Sequence, residues 1–402
     1  YLRFFSLLIG ILSFFNILYS YYFSLYLNVD SYFYTLLISS LVLLTHFIKQ
    51  KELIRINIYE KILTVIFGYL FLPILISLPY YFSIYNLTFL EAYFESISGF
   101  TSTGFTIFNN IKHLDESLIL WRSSSQWIGG LYFLYSILLL IDIFDDNLKK
   151  TVTNFLSFNS SEISKQSIKL FTFYAFLTFL IFLILNISQI RAFNSFNLAL
   201  TLISSGGFLP TNNVSFILNT EMKQNIFSLC MLFSFFSLFL IYNLFFFKQK
   251  GIKFLQEDIY LLFYLLSIYI IFLTFADKSV NFNELFFAIS SSVSNIGFSL
   301  KNTTDNYSFI FLLLIIIGGS FFSTSSGLRF MKIYSLLKFS INEVKSHFKP
   351  RNIYVNKLPF VEKNMDVSDF YKYFLTILVF ILSLIILLSI LTISGLGLEN
   401  SF

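Results

Sequence analysis

Nine stretches of this sequence, near residues 4–27, 32–48, 60–83, 118–142, 168–189, 225–247, 256–276, 307–330 and 370–393, are apolar and long enough to cross roughly 30 Å of hydrocarbon. Such runs leave a chain little choice. Inside a bilayer each backbone donor and acceptor needs a partner within the protein, and the helix supplies one locally. The expected class is therefore an all-α polytopic membrane protein. Composition agrees, since 56% of the 402 residues are hydrophobic and only 12% are charged, with a mean hydropathy of +0.75. That balance excludes an ordinary soluble domain. The single cysteine, Cys230, rules out an internal disulfide and a thiolate metal cluster, and the three histidines, His46, His113 and His347, lie far apart.

Three further stretches, 88–98, 194–204 and 282–293, are apolar but too short to cross, and each runs into small polar residues and glycine. The first of them opens the segment that organises the chain, residues 91–130, where Ser98-Gly99-Phe100-Thr101-Ser102-Thr103-Gly104-Phe105 sits between apolar flanks. Non-helical backbone at membrane depth is tolerated only where it lines a watery cavity or is buried in protein. The expectation is a re-entrant pore loop whose carbonyls replace the water of a cation.

Basic residues orient the assembly. With the N-terminus cytoplasmic, 21 of the 27 Lys and Arg fall on the inner side, and only Lys112, Arg122, Arg191, Lys223, Lys278 and Lys301 fall outside. All three short stretches then open outward. The charge of +5 is spread over short loops, so it reads as a topology signal and not as a nucleic-acid surface. The chain starts at Tyr1 and stops at Phe402 directly after an apolar run; both ends are expected to be cut or incomplete, with no cleavable signal peptide.

Aligned on Gly-Phe, the loops repeat: ISGFTSTGF ends at Gly104-Phe105, LTLISSGGF at Gly207-Phe208 and SSVSNIGF at Gly297-Phe298. The intervals between the glycines, 103 and 90 residues, are close to one another. This predicts four pseudo-repeated units of first helix (M1), pore helix and second helix (M2) around one pore, preceded by two extra N-terminal helices. The expected division is 1–56 for the extra helices, 57–150, 151–253 and 254–340 for three repeats, and 341–402 for a cytoplasmic linker plus the M1 of an incomplete fourth. The fourth filter is expected beyond Phe402. The filter residues read from the alignment are Thr101, Ser102, Thr103 and Gly104, then Ser204, Ser205, Gly206 and Gly207, then Ser294, Asn295, Ile296 and Gly297. A pore helix entering from outside points the negative end of its dipole at the cavity, which favours a cation, and glycine lets successive carbonyls face one axis.

SGFTSTGF followed by WRSSSQWIGG at 121–130, together with IGGSFFSTSSGLR at 317–329, resembles the Trk/Ktr/HKT superfamily of potassium transporters, and the two leading spans resemble the Trk-type membrane subunit. The resemblance covers nearly the whole chain. It departs from the family pattern at Ser205-Gly206-Gly207, at Asn295-Ile296 and at Ser325-Ser326. It implies potassium uptake across a bacterial inner membrane through filter carbonyls, with potassium as transported substrate, no bound cofactor and no chemical step. It also implies a gate in the third M2 at Gly318, Gly319, Ser320, Ser323, Thr324, Ser325, Ser326 and Gly327, with Arg329 as a cytoplasmic-end anchor. The partners it implies are a TrkA-like nucleotide-binding cytoplasmic regulatory subunit and a second copy in a homodimer.

Competing readings stand beside these. A Ser/Gly pair in one membrane helix more often marks close packing than an ion site; three loops ending alike reverse that preference. Gly129-Gly130 reads as helix packing. Glu91 and Glu95 either concentrate cations at the mouth or cap and solvate the helix start. Arg122 reads as a topological or headgroup contact before it reads as a filter brace, and His113 as water-facing. Lys338 to Lys363 is expected to contact anionic lipid and to form a docking surface. No intramembrane carboxylate chain is recognised. The alternative function is a polytopic membrane enzyme of lipid or cell-wall precursor metabolism, for which Asp142, Asp145 and Asp146 form the only close acidic group.

Overall fold

The computed structural model describes residues 2–44, 57–144, 163–238, 240, 252–275, 281–300, 307–348 and 367–397. Among them lie thirteen α-helices and one two-stranded ladder. The first two, α1 (Leu2–Tyr22) and α2 (Val29–Leu44), pack on each other through small polar residues. Ser6, Ser13 and Ser20 recur every seven residues on the buried side of α1, and Ser31, Thr35 and Ser39 every four on that of α2. A Cβ at Gly10 would lie 2.8 Å from Ser39 Oγ. In lipid, burial of apolar surface does not hold helices together, so close backbone approach through small residues does.

A long helix, a short helix and a further helix then follow in turn: α3 (Ile58–Tyr81), α4 (Phe89–Phe100) and α5 (Glu116–Phe144); α6 (Ile163–Ile187), α7 (Ala192–Ile203) and α8 (Glu221–Met231); α9 (Ile252–Phe275), α10 (Phe282–Ser294) and α11 (Ser308–Ile316). The ladder pairs β1 (Ile317–Gly318) with β2 (Leu328–Arg329), after which come α12 (Phe330–Ser346) and α13 (Val367–Ile393). The three short helices match the stretches too short to cross. Each packs on the long helix before it or on a neighbouring unit: α4 on α3 and α5, α7 on α6 and α5, α10 on α8. The core runs through this junction, where Trp121 and Arg122 of α5 are the largest fully buried side chains.

Five helices among the described residues are long and apolar enough to cross a membrane: α1, α3, the 167–187 part of α6, the 257–274 part of α9, and the 370–393 part of α13. Four of the nine expected spans are not among these five. Helix α2, over the expected 32–48, has 16 described residues and counts as a shorter apolar helix. Helix α5 has the length, with 29 residues, but its centre, Ser123-Ser124-Ser125-Gln126, is polar and fully buried in protein. The span expected over 225–247 breaks: α8 stops at Met231, a 3-10 turn covers Leu232–Ser234, and the chain is irregular through Ser237. The span expected over 307–330 ends as a helix at Ile316 and continues as the loop between β1 and β2. The stretches 45–56, 145–162, 241–251 and 349–366, with Asp145, Asp146 and the basic residues from Lys349 to Lys363, lie outside the described residues.

Candidate functional site

The short helices end in one repeated way. After α4, Ser102 N donates to Gly99 O at 3.0 Å and Thr103 N to Ser98 O at 2.9 Å. After α7, Ser205 N donates to Leu202 O at 3.2 Å and Gly206 N to Thr201 O at 2.8 Å; after α10, Asn295 N donates to Ser292 O at 3.2 Å and Ile296 N to Ser291 O at 3.1 Å. These are three Schellman caps, each with its left-handed residue at the same place: Ser102 at φ +55°, Ser205 at +53° and Asn295 at +57°. Serine is an unusual choice there, while asparagine tolerates the conformation. The departure Asn295 therefore preserves the cap.

Side chains in these segments are turned back on their own helices. Thr101 Oγ1 donates to Ile97 O at 2.8 Å, Ser204 Oγ to Leu200 O at 2.9 Å and Ser294 Oγ to Ser290 O at 2.6 Å. These three hydroxyls are engaged within their own helices, whereas the Asn295 side chain, which lines the cavity described below, has no hydrogen-bond partner at Nδ2 or Oδ1 among the described residues.

The three ends meet. A Cβ at Gly104 would lie 2.7 Å from Gly207 Cα, and one at Gly207 would lie 3.1 Å from Gly104 Cα and 3.3 Å from Ile296 O. Gly104 and Gly297 also need glycine for their φ of +83° and +80°. Gly207 has no such φ and is glycine for close approach alone. Gly206 gives way to Gln126, whose Oε1 would lie 2.2 Å from a Cβ there and accepts from Phe208 N at 3.3 Å. A cavity of about 900 Å³ is lined by Thr101, Ser102, Thr103, Ser204, Ser205, Asn295 and Gly297, and also by Thr324 and Ser326 of the β1–β2 loop. Gly129 and Gly130 line it too, but their packing role holds: a Cβ at Gly129 would strike Phe100 O at 1.9 Å and one at Gly130 would lie 2.6 Å from the Tyr174 hydroxyl.

Behind the first end lies an ion pair. Arg122 and Glu95 are both fully buried, with Arg122 Nε 2.9 Å from Glu95 Oε1. Arg122 Nη2 donates to Thr106 Oγ1 at 3.0 Å, its guanidinium lies 4.2 Å from the Phe208 ring centroid, and Glu95 Oε2 accepts from Ile107 N at 3.0 Å. Two sequence expectations are corrected here. Arg122 is a brace joining α4, the segment after Gly104 and Phe208; it is no headgroup contact. Glu95 is its counter-ion and does not face a watery mouth. Glu91 caps α4 in a reciprocal box with Thr88, as one reading held, and the bonds from Thr88 hold its carboxyl below the usual carboxylate range. His113 is exposed, as expected.

The β1–β2 loop carries all the residues expected of the gate. Pairing of Gly318 with Arg329 closes its neck. There a Cβ at Gly318 would strike Ser326 O at 2.2 Å and one at Gly319 would strike Phe235 O at 2.2 Å, while Gly327 has φ +85°. Arg329 is bonded to the loop it follows. Its Nη1 turns into the loop and donates to Ser320 O, Ser323 Oγ and Ser325 O at 3.0–3.1 Å. Thr324 reaches the capped end of α7, donating to Ile203 O at 2.7 Å and lying 3.4 Å from Ser205 Oγ.

Buried carboxylates do occur in a spanning helix, against expectation: Glu257 and Asp258 of α9 are 6% and 3% exposed. Their signal was an acidic pair early in an otherwise apolar run.

No protein-family model matches the chain. An uncharacterized cation transporter of Methanocaldococcus jannaschii is 25% identical over 293 residues, covering 70% of this chain and 59% of the relative. The Trk system potassium uptake protein TrkG of Escherichia coli is 23% identical over 324 residues, covering 75% and 66%. The chain thus spans less than two thirds of the length of these relatives. The crystal structure of the potassium transporter TrkH from Vibrio parahaemolyticus superposes with a TM-score of 0.81 over 100% of this chain and 87% of that one, at 18% identity. The chain has the Trk-type fold. The resemblance read from SGFTSTGF, WRSSSQWIGG and IGGSFFSTSSGLR holds in fold and in sequence similarity. With this fold and five described helices long and apolar enough to cross, it is a predominantly helical, multi-pass membrane protein.

Proposed function

We propose that this Trk-type chain takes up potassium across the cytoplasmic membrane. Potassium is its transported substrate, no cofactor is bound and no chemical step is catalysed. The observation that carries the reading is the meeting of three identically capped helix ends at Gly104, Gly207 and Ile296. Rings of such oxygens bind a dehydrated monovalent cation and release it to the next site. Passage is driven by the membrane potential, at roughly 2.3 kcal/mol per charge per 100 mV.

In this reading residues 101–104, 204–207 and 294–297 are three parts of the filter, and the division into two leading helices, three repeats and the M1 of a fourth stands as drawn from the sequence. The 317–329 loop is the gate: Thr324 and Ser326 line the same cavity as the filter ends. The basic balance puts the N-terminus in the cytoplasm. The regulatory partner is a TrkA-like nucleotide-binding subunit acting from that side, and two copies of the chain form the working unit. The test is rescue. The full-length protein restores growth on low potassium to cells lacking potassium uptake, and Gly104→Asp, expressed at the same level, does not. Growth restored equally by both proteins would overturn the reading.

A further inference from the structure

Glu257 and Asp258 occupy successive positions on α9, a helix that otherwise exposes Ile259, Leu262 and Phe263. Two carboxylates buried in a spanning helix are costly unless something compensates them. The compensation comes from backbone. Glu257 Oε1 accepts from Phe321 N at 2.8 Å, and Asp258 Oδ1 accepts from Ser237 N at 2.9 Å. Phe321 belongs to the β1–β2 loop and Ser237 to the break after α8. These are the two places where a span loses its helix, and where backbone donors within the membrane are left to find partners elsewhere.

The two irregular segments are also bonded to each other. Ser320 N donates to Phe235 O at 3.0 Å, Leu238 N to Phe322 O at 3.0 Å and Ser325 N to Ser234 O at 3.1 Å. Neither segment separates from α9 without breaking a bond to a carboxylate, and neither moves far without the other. Asp258 Oδ2 is left without a hydrogen-bond partner among the described residues; Asp258 is therefore held by Ser237 N alone, whereas Glu257 also feels the Arg329 charge from inside the loop.

We propose that Glu257 and Asp258 are positioning residues for the gate: each carboxylate clasps one non-helical segment, so that residues 319–325 and 232–238 leave the ion path together or not at all. The proposal rests on the reading of 317–329 as the gate. It assigns a role to the second repeat's M2, which the gate motif alone does not include.

The test uses full-length protein in potassium-loaded liposomes with a cysteine at Ser326, an exposed loop residue that lines the cavity, in a background where Cys230 is replaced by serine. Rubidium uptake and the rate of modification of that cysteine by a charged thiol reagent, applied from the inner side without regulatory subunit, are both read. Glu257→Leu removes the acceptor, and Glu257→Gln keeps an oxygen but loses the charge-assisted bond. Modification is expected to rise about tenfold in the first and about threefold in the second, with uptake rising in parallel, because neutral hydrogen bonds are weaker than those to a charged group. Asp258→Leu is expected to raise modification at the same cysteine although its partner lies in the other segment. If Glu257→Leu fails to reach the membrane, Glu257→Gln decides. Modification unchanged within twofold in Glu257→Gln and Asp258→Leu, while labelling still blocks uptake, overturns the clasp and leaves the gate standing. Labelling that never affects uptake overturns the gate reading itself.

Discussion

The capped ends of α4, α7 and α10 and the β1–β2 loop are both non-helical backbone in a membrane protein, yet they satisfy their polar groups in different ways. Each capped end closes on its own helix: the donors of residues 102–103, 205–206 and 295–296 reach back three to five residues. The β1–β2 loop depends on distant chain. Gly319 N and Ser323 N stay within the loop, but Ser320 N, Ser325 N and Phe321 N go to Phe235 O, Ser234 O and Glu257 Oε1, and the Thr324 hydroxyl goes to Ile203 O. The difference suits the two proposed roles. A locally capped end keeps its shape whatever its surroundings do, as a selecting ring requires; a loop held by borrowed partners has two states available when those partners change.

The two regions also use their arginines differently. Arg122 is sealed against Glu95 behind the capped end of α4, whereas Arg329 sits inside the loop it stabilises and bonds neutral oxygens. The largest effect should follow from breaking the first arrangement. Arg122→Leu strands a buried carboxylate, at a cost of about 3–5 kcal/mol, and should abolish folded protein in a detergent thermal-shift assay. Retention of normal melting would show that the brace is dispensable.

Next in size is a contrast within the proposed filter. Gly104→Ala brings a Cβ to 2.7 Å from Gly207 Cα at a φ of +83°, so backbone must shift, and rubidium uptake should fall at least about tenfold from strain of roughly 1–3 kcal/mol. Gly297→Ala meets nothing within 4 Å and carries only the φ penalty; its uptake should fall by a smaller factor. Equal losses would mean that contact between the first two ends is unimportant.

A smaller effect tests local closure at the other end of α4. Thr88→Ala removes the hydroxyl that accepts from Glu91 N and should lower the melting free energy by about 1 kcal/mol without altering ion preference. Smallest, and opposite in sign, is Ser102→Gly. It relieves the left-handed serine and should leave stability unchanged or raise it by up to about 1 kcal/mol, with uptake intact. A large loss there would show that the Ser102 side chain itself is used.

The same local-versus-distant contrast decides what was legible in the sequence. The three capped ends could be aligned on Gly-Phe because their caps are written within a dozen residues, and the stretches 88–98, 194–204 and 282–293 fall within two residues of α4, α7 and α10 at every boundary. The β1–β2 loop was visible as Gly318-Gly319 and Gly327, since only glycine fits the narrow neck. Its partners were not. Asp258 holds Ser237 across 21 residues and Glu257 holds Phe321 across 64, and hydropathy absorbs such pairs into an ordinary span. The break after α8 was missed for the same reason: residues 232–238 are apolar and carry no glycine or proline, so only the paired loop explains why their helix stops. Arg122 was misread because a charge two turns into a helix resembles a snorkelling side chain until its counter-ion, 27 residues earlier, is seen to be buried with it.

The most direct measurement is the position of a heavy monovalent cation in the full-length protein. Anomalous scattering from crystals grown in thallium should give a peak on the axis bounded by Gly104, Gly207 and Ile296, within coordination distance of main-chain oxygens. Thallium bound only at Glu257 and Asp258, or nowhere near those three residues, would contradict selection by the capped helix ends.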